Sequence, residues 1–165
     1  MVIRFLIIAV GIVIWANIPA RAGYQHPVLR TYAPMRIALP DFAATDPSEV
    51  GLARSISQII ASDLKRDGAF VPVDPASFAE KKADIDQAPY FEDWRVIKAQ
   101  GLVVGRVTRQ PDARIRVEFR LWDAFIGHQL AGQIYIGSPD DLDHIGHMIS
   151  QDIYERITGE KRSFD

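Results

Sequence analysis

The sequence predicts an α/β domain, in the broad sense of a mixed sheet with helices packed on it. Three observations predict this class. Two long segments each open on a capping residue and a proline and then repeat apolar residues at helical spacing. The stretch Arg114–Trp122 alternates with period two, with Ile115, Val117, Phe119 and Leu121 on one face and Arg114, Arg116, Glu118 and Arg120 on the other. The third observation is the order of elements. Strand, helix and strand come first, then short helices, a three-strand meander and a last helix, which implies a mixed sheet. A chain of 165 residues holds one such domain.

Met1–Ala22 reads as an export signal. Arg4 supplies a minimal positive start and Phe5–Trp15 is an unbroken run of apolar residues and Gly. Ala20-Arg21-Ala22 then offers the small residues that a signal peptidase requires, so that cleavage leaves Gly23 as the N-terminus. The rival reading is an uncleaved anchor, although Val2–Ile18 is interrupted by Arg4 and sits at the short edge of the roughly 17–25 residues that cross a bilayer. A buried core helix fits poorly, because the segment has no polar face. Gly23–Pro34 has two prolines, no helical period and no cap, so it reads as an extended arm.

Met35–Leu39 is a short apolar strand stopped by Pro40-Asp41. Asp46-Pro47-Ser48-Glu49 starts a helix: Asp46 caps, Pro47 fits the first turn, and Glu49 reaches back three residues later. Its inward stripe is Val50, Ala53, Ile56, Ile60 and Leu64, and Asp67-Gly68 closes it. Phe70–Val73 is a second short strand, which Pro72 confines to a sheet edge. Asp74-Pro75 repeats the helix-start grammar for a short helix through Glu80, and Lys81–Ala88 reads as polar linker. Tyr90–Gln100 reads as a helix with Tyr90, Trp94 and Ile97 inward. Leu102–Arg109 is a strand, Gln110–Ala113 a turn, and Gln129–Ile136 the last strand, reached through a loop at Asp123–His128. Ser138-Pro139-Asp140-Asp141 starts the final helix, whose stripe is Leu142, Ile145, Ile149, Ile153 and Ile157 and whose end is Gly159.

Composition excludes several classes. The absence of cysteine removes disulfide scaffolds, Cys-based zinc sites, redox pairs, Cys nucleophiles and the Cys-borne lipid of a bacterial lipoprotein. A formal charge of −2 argues against nucleic-acid binding. Cleavage after Ala22 removes Arg4 and Arg21 but no carboxylate, leaving a mildly acidic chain. His144 and His147 share a helical face near Asp140, Asp141 and Asp143, a pattern open to zinc or nickel. No third specific ligand joins them, and a solvated acidic turn with both histidines on the outer flank explains them better; no metal or other cofactor is expected. Gly101-Leu102-Val103-Val104-Gly105 lacks the Lys-Ser/Thr of a phosphate loop, so its glycines read as close packing. Asp41, Asp46, Asp63 and Asp67 have no Ser-His grammar around them, which argues against an enzyme. Arg114, Arg116 and Arg120, joined by Arg106 and Arg109, form a basic row suited to an acidic partner or, more simply, the solvated face of a hairpin. The arm offers Tyr24, Val28, Leu29 and Tyr32 in a segment the core does not need. In an extended chain Val28, Arg30 and Tyr32 share one side, the pattern of a strand that adds to a partner's sheet, against the alternatives of a leader without a role or an arm docked on its own domain.

From Met35 to Asp165 the chain resembles the N-terminal domain of the TolB family, of the periplasmic Tol-Pal envelope system. The resemblance rests on Ile37-Ala38-Leu39-Pro40-Asp41-Phe42, on Ile59 through Phe70, and on Trp94 followed by Ala99-Gln100-Gly101-Leu102-Val103-Val104-Gly105. Phe119-Arg120-Leu121-Trp122-Asp123, Gln129-Leu130-Ala131-Gly132-Gln133 and Asp152 through Lys161 continue it in the same order. It implies an α/β domain with two main helices on a five-stranded mixed sheet, a non-enzymatic periplasmic role through protein contacts, and no cofactor. It also implies that the extreme mature N-terminus, here the arm, binds the C-terminal domain of TolA; that contact does not transfer residue by residue, and Tyr24, Val28, Arg30 and Tyr32 are the partner-binding residues that the arm's own extended pattern offers. In the family a β-propeller follows and binds Pal; the chain ends at Asp165, about where that propeller would begin, so a Pal contact is not expected. The arm departs from the family in carrying His26-Pro27 and Arg30 where an acidic stretch is expected. The expected organisation is a signal at 1–22, an arm at 23–34 and the α/β domain at 35–165, with no nucleic-acid partner and no membrane insertion after cleavage. A remnant of a split gene, or an envelope domain that binds another ligand, stand as alternatives.

Overall fold

The computed structural model describes residues 33–79 and 84–164. Its sheet follows the order β3-β1-β4-β5-β6, with a further two-residue strand, β2, paired to β4. β1 is Met35–Ala38, β2 Ala43–Ala44, β3 Phe70–Pro72, β4 Gly101–Arg109, β5 Ile115–Asp123 and β6 His128–Gly137. β1 lies parallel to both β3 and β4, and β4, β5 and β6 form the antiparallel meander. The α/β class and the mixed sheet are as the sequence predicts, with five strands in the main order. The sixth, β2, escapes sequence reading because two alanines carry no strand pattern; it exists because Ala43 and Ala44 meet Arg106 and Val107 of β4.

The two main helices are α1, Val50–Asp67, and α3, Leu142–Thr158. Both are preceded by a 3-10 turn that starts with the expected proline, Pro47–Glu49 and Pro139–Asp141, and both turns are closed by capping boxes. Glu49 does more than cap. Its buried carboxylate accepts the Thr45 and Asp46 amides at 3.1 and 3.0 Å and, through its other oxygen, the Arg109 amide at 2.6 Å, tying the helix start to the end of β4. Both helices end on glycines in the left-handed region, Gly68 at φ 83° and Gly159 at φ 74°, as a helix C-terminus favours.

Alternation along the strands creates two apolar layers. On one face Val103, Val107, Ile115, Val117, Phe119 and Leu121 bury against Ile56, Ile60 and Leu64 of α1 and Ile145, Ile149 and Ile153 of α3. The expected stripes hold, although Val50 and Ile157 are only half-buried. Gly105 is required here: a Cβ at that position would come within 2.2–2.4 Å of three ring carbons of Phe42. On the opposite face Leu102 and Val104 meet Phe78, Ile85, Trp94, Ala99 and Ala124.

That second layer corrects three sequence expectations. The helix expected through Glu80 is one 3-10 turn, Pro75–Ser77, because Phe78 turns extended and packs its ring edge-on to Trp94 at 5.3 Å. The segment read as polar linker contains Ile85, fully buried in the layer. The helix expected over Tyr90–Gln100 is shorter, α2 at Phe91–Val96, and Tyr90 points outward at 70% exposure. α2 stops because Lys98 takes a positive φ of 59°, and the following Gln100 turns to β1, where its side chain accepts the Arg36 amide.

Candidate interaction surfaces

The arm residues Tyr24, Val28, Arg30 and Tyr32, and the leader before them, lie outside the described residues. The remaining candidates fall on four places in the fold.

The two histidines separate. His144 is exposed, whereas His147 turns toward α1 and places Nδ1 2.7 Å from Oδ2 of Asp63. Asp63 is 4% exposed and also accepts from Arg66 at 3.0 Å. The expectation that both histidines lie on the outer flank is therefore half wrong: His147 is an inter-helix tie, because the α1–α3 packing brings a buried carboxylate under it. Among the described residues no group of three His, Cys, Asp or Glu side chains is placed to hold a metal ion.

The aspartates are each engaged in local or tertiary structure. Asp41 faces Arg54 at 3.5 Å, Asp46 caps the Ser48 amide at 2.9 Å, and buried Asp67 pairs with Arg162 from the segment after α3. Arg162 also lies over the rings of Tyr154 and Phe164, and Phe164 is itself buried. Sequence reading missed this anchored segment, because nothing in Lys161–Phe164 shows by itself which surface it will meet.

The arginine row splits. Arg114 pairs with Asp112 at the turn, at 2.8 Å, and Arg109 reaches the Ala113 carbonyl at 3.3 Å. Arg106, Arg116 and Arg120 instead surround one carboxylate, Glu118, at 3.6, 2.6 and 3.8 Å. Glu118 is 14% exposed, and Arg106 has a second partner in Asp86, at 2.5 Å. That hydrogen bond from Arg106 holds the Asp86 carboxyl below its ordinary range and raises the guanidinium. This cluster occupies the half of the outer sheet face that the Phe78–Trp94 layer does not cover.

The fourth place is β6, which sequence reading treated only as the last strand. It ends the sheet order, and its ten residues include no Asp, Glu, Lys, Arg or Pro. Ile134 and Ile136 are 50% and 53% exposed beside the arginine cluster. The register sets Ile136 opposite Arg116, Ile134 opposite Glu118, and Gly132 opposite Arg120. The one signal available in the sequence was the absence of charge on a strand that follows a charged one. On its inner side Tyr135 hydrogen-bonds Asp152 of α3; burial first, then that bond, raises the phenol above its ordinary range.

Comparison with known proteins places this geometry. Residues 30–130 match the family described as the TolB amino-terminal domain. Among solved structures the chain is similar to TolB from Acinetobacter baumannii, at 25% identity and a TM-score of 0.64, covering 79% of this chain and 29% of that one. The chain thus spans under a third of the length of that relative. The lipoprotein GNA1162 from Neisseria meningitidis shares the fold at 16% identity and a TM-score of 0.51, over 74% of this chain and 96% of that one. A PelC dodecamer from Paraburkholderia phytofirmans does so at 18% identity and 0.50, over 77% and 90%.

Proposed function

The chain belongs to the TolB amino-terminal domain family, and from that premise we propose that it works in the bacterial envelope as a non-enzymatic adaptor, through protein–protein contacts of the Tol-Pal system. The family match across residues 30–130 carries this reading. The site chemistry is in keeping with it. The carboxylates that sequence reading considered are engaged in caps and ion pairs, and His147 is occupied by Asp63.

In this reading Met1–Ala22 directs export to the periplasm and the arm Gly23–Pro34 is the contact segment, pairing as a strand with the C-terminal domain of TolA. Pro27 and Pro34 confine backbone pairing to the stretch between them, and Val28 and Tyr32 supply its apolar side around Arg30. Two apolar anchors and the cost of ordering a short strand predict weak binding, on the order of micromolar to hundreds of micromolar.

Titration of the TolA C-terminal domain into isotope-labelled 23–165 tests it. Resonance shifts confined to residues 23–34 are expected, and deletion of 23–33 should abolish them without lowering Tm. Absence of shifts at high micromolar partner would refute the arm contact.

A further inference from the structure

We infer that the free edge of β6, with the arginine cluster beside it, is a docking surface for an extended acidic segment of another protein, which adds to the sheet as a further strand. This surface is formed by β4, β5 and β6 and does not depend on the arm's partner.

The argument begins with the backbone. An edge strand presents a row of unpaired N–H and C=O groups, and proteins guard such edges with charge, proline, bulges or shortness. β6 has ten residues and carries neither charge-bearing Asp, Glu, Lys or Arg nor proline. Its only irregularity is a register shift at Leu121/Trp122, near the end where the strand begins. The stretch from Ala131 to Gly137 pairs regularly with β5 and, among the described residues, has no strand on its other side.

The side chains define what that strand carries. Ile134 and Ile136 stand half-exposed on the outer face, two residues apart, as apolar contacts for alternate residues of an added strand. Behind them three guanidinium groups share Glu118. Arg106 is also held by Asp86, and Arg116 has the short bond to Glu118, so Arg120, at 3.8 Å, is the least engaged of the three. Of the two that lie on β5, Arg120 is also the one with no side chain opposite it on β6. It stands opposite Gly132, and its Cγ lies 3.6 Å from the point a Cβ of that glycine would occupy. Nε2 of Gln129 lies nearer that point, at 2.9 Å, so the Gln129 amide and the Arg120 stem share the space over the glycine, beside the edge. A carboxylate on the added strand meets Arg120 there, and an apolar neighbour meets Ile134 or Ile136.

Charge complementarity decides among occupants. A second copy of β6 brings no carboxylate to Arg120. The arm Gly23–Pro34 contains Arg30 and no acidic residue, so it does not complement the cluster. A phosphate or nucleic-acid backbone has no alternating N–H and C=O groups to pair with the exposed edge of β6. An alternating acidic and apolar peptide satisfies both the edge and the guanidinium groups.

The test uses the isotope-labelled full chain and two capped hexapeptides, alternating Glu-Val and alternating Lys-Val. The Glu-Val peptide is expected to shift the amides of residues 131–137 and the Arg120 side chain, while the Lys-Val peptide does not. Arg120→Glu should weaken the response about tenfold or more, as loss and reversal of a charge contact does. Arg120→Gln, which introduces no new charge near Glu118, should weaken it less but measurably; a thermal melt of each variant checks the fold. Equal response to both peptides, no shift at millimolar Glu-Val, or an unchanged response in Arg120→Gln would overturn the inference. So would concentration-dependent shifts of 131–137 without peptide, which would assign the edge to a second copy. Short-chain polyphosphate that shifts the arginines but leaves the β6 amides unmoved, with Glu-Val doing the same, would reduce the site to a simple anion patch and overturn it as well.

Discussion

The two edges of the sheet are built in opposite ways. β3 spans three residues and ends at Pro72, which has no N–H to offer a neighbour, and α1 returns directly into it through Gly68. β6 spans ten, is free of proline and of strongly charged residues, and among the described residues pairs with β5 alone, while Leu130, Ala131 and Tyr135 pack on the core and Tyr135 reaches Asp152. β3 is closed by brevity and proline. β6 is closed by neither, so the difference teaches where an added strand meets the least resistance.

Four substitutions probe that contrast, beginning with the core both edges share. Ile60 is fully buried between α1 and the sheet, and Ile60→Asp would place an uncompensated charge there. The expected outcome is loss of the folded state, read as the absence of a cooperative melt and of near-UV circular dichroism. A folded Ile60→Asp variant would show that the edges do not depend on one core.

The next effect is smaller and belongs to β6 alone. The raised phenol of Tyr135 means the folded state keeps that proton where an unfolded tyrosine, near 10, begins to lose it. Its stabilisation is therefore complete below about pH 10 and is lost as pH rises toward the higher folded value. Tyr135→Phe should lower stability by about 1 kcal/mol at neutral pH, and the difference between variant and parent should shrink above pH 10. Denaturant melts across that range measure it. A pH-independent difference would mean that the hydroxyl does not hold β6 to α3.

The smallest expected effect on stability separates the edges most sharply. Ile136→Glu sets a carboxylate opposite Arg116, and Val71→Glu sets one on β3; both positions are exposed, and each change should stay within about 0.5 kcal/mol of the parent. Their effects on the Glu-Val peptide should differ. Ile136→Glu removes an apolar contact and repels the peptide, whereas Val71→Glu leaves its binding unchanged. Equal loss in both would show that the two edges are not distinguished by the features above.

Much of this architecture was legible along the chain because its causes are local. Capping at Asp46 and Ser138, the prolines that follow them and the glycines at 68 and 159 act within one helical turn, and the β5 alternation shows in nine consecutive residues. Pro72 marked an edge by itself, since a missing N–H bars a central position wherever the strand lies. The arginine row was legible as a row, but its division into Arg114 at the turn and three residues around Glu118 needed the turn geometry and the neighbouring strand.

What sequence alone determined, then, was the class, the main helices, five strands and the resemblance that the family match bears out. Tertiary structure decided the rest, because those features join residues far apart in the chain. His147 meets Asp63 across 84 positions, Ile85 becomes core only under Leu102 and Val104, and Ala43-Ala44 becomes a strand only beside β4. The openness of β6 belongs to the same group. A strand without proline shows its hydrophobic pattern in its own residues, but whether it lies at an edge depends on which segments the folded chain brings beside it.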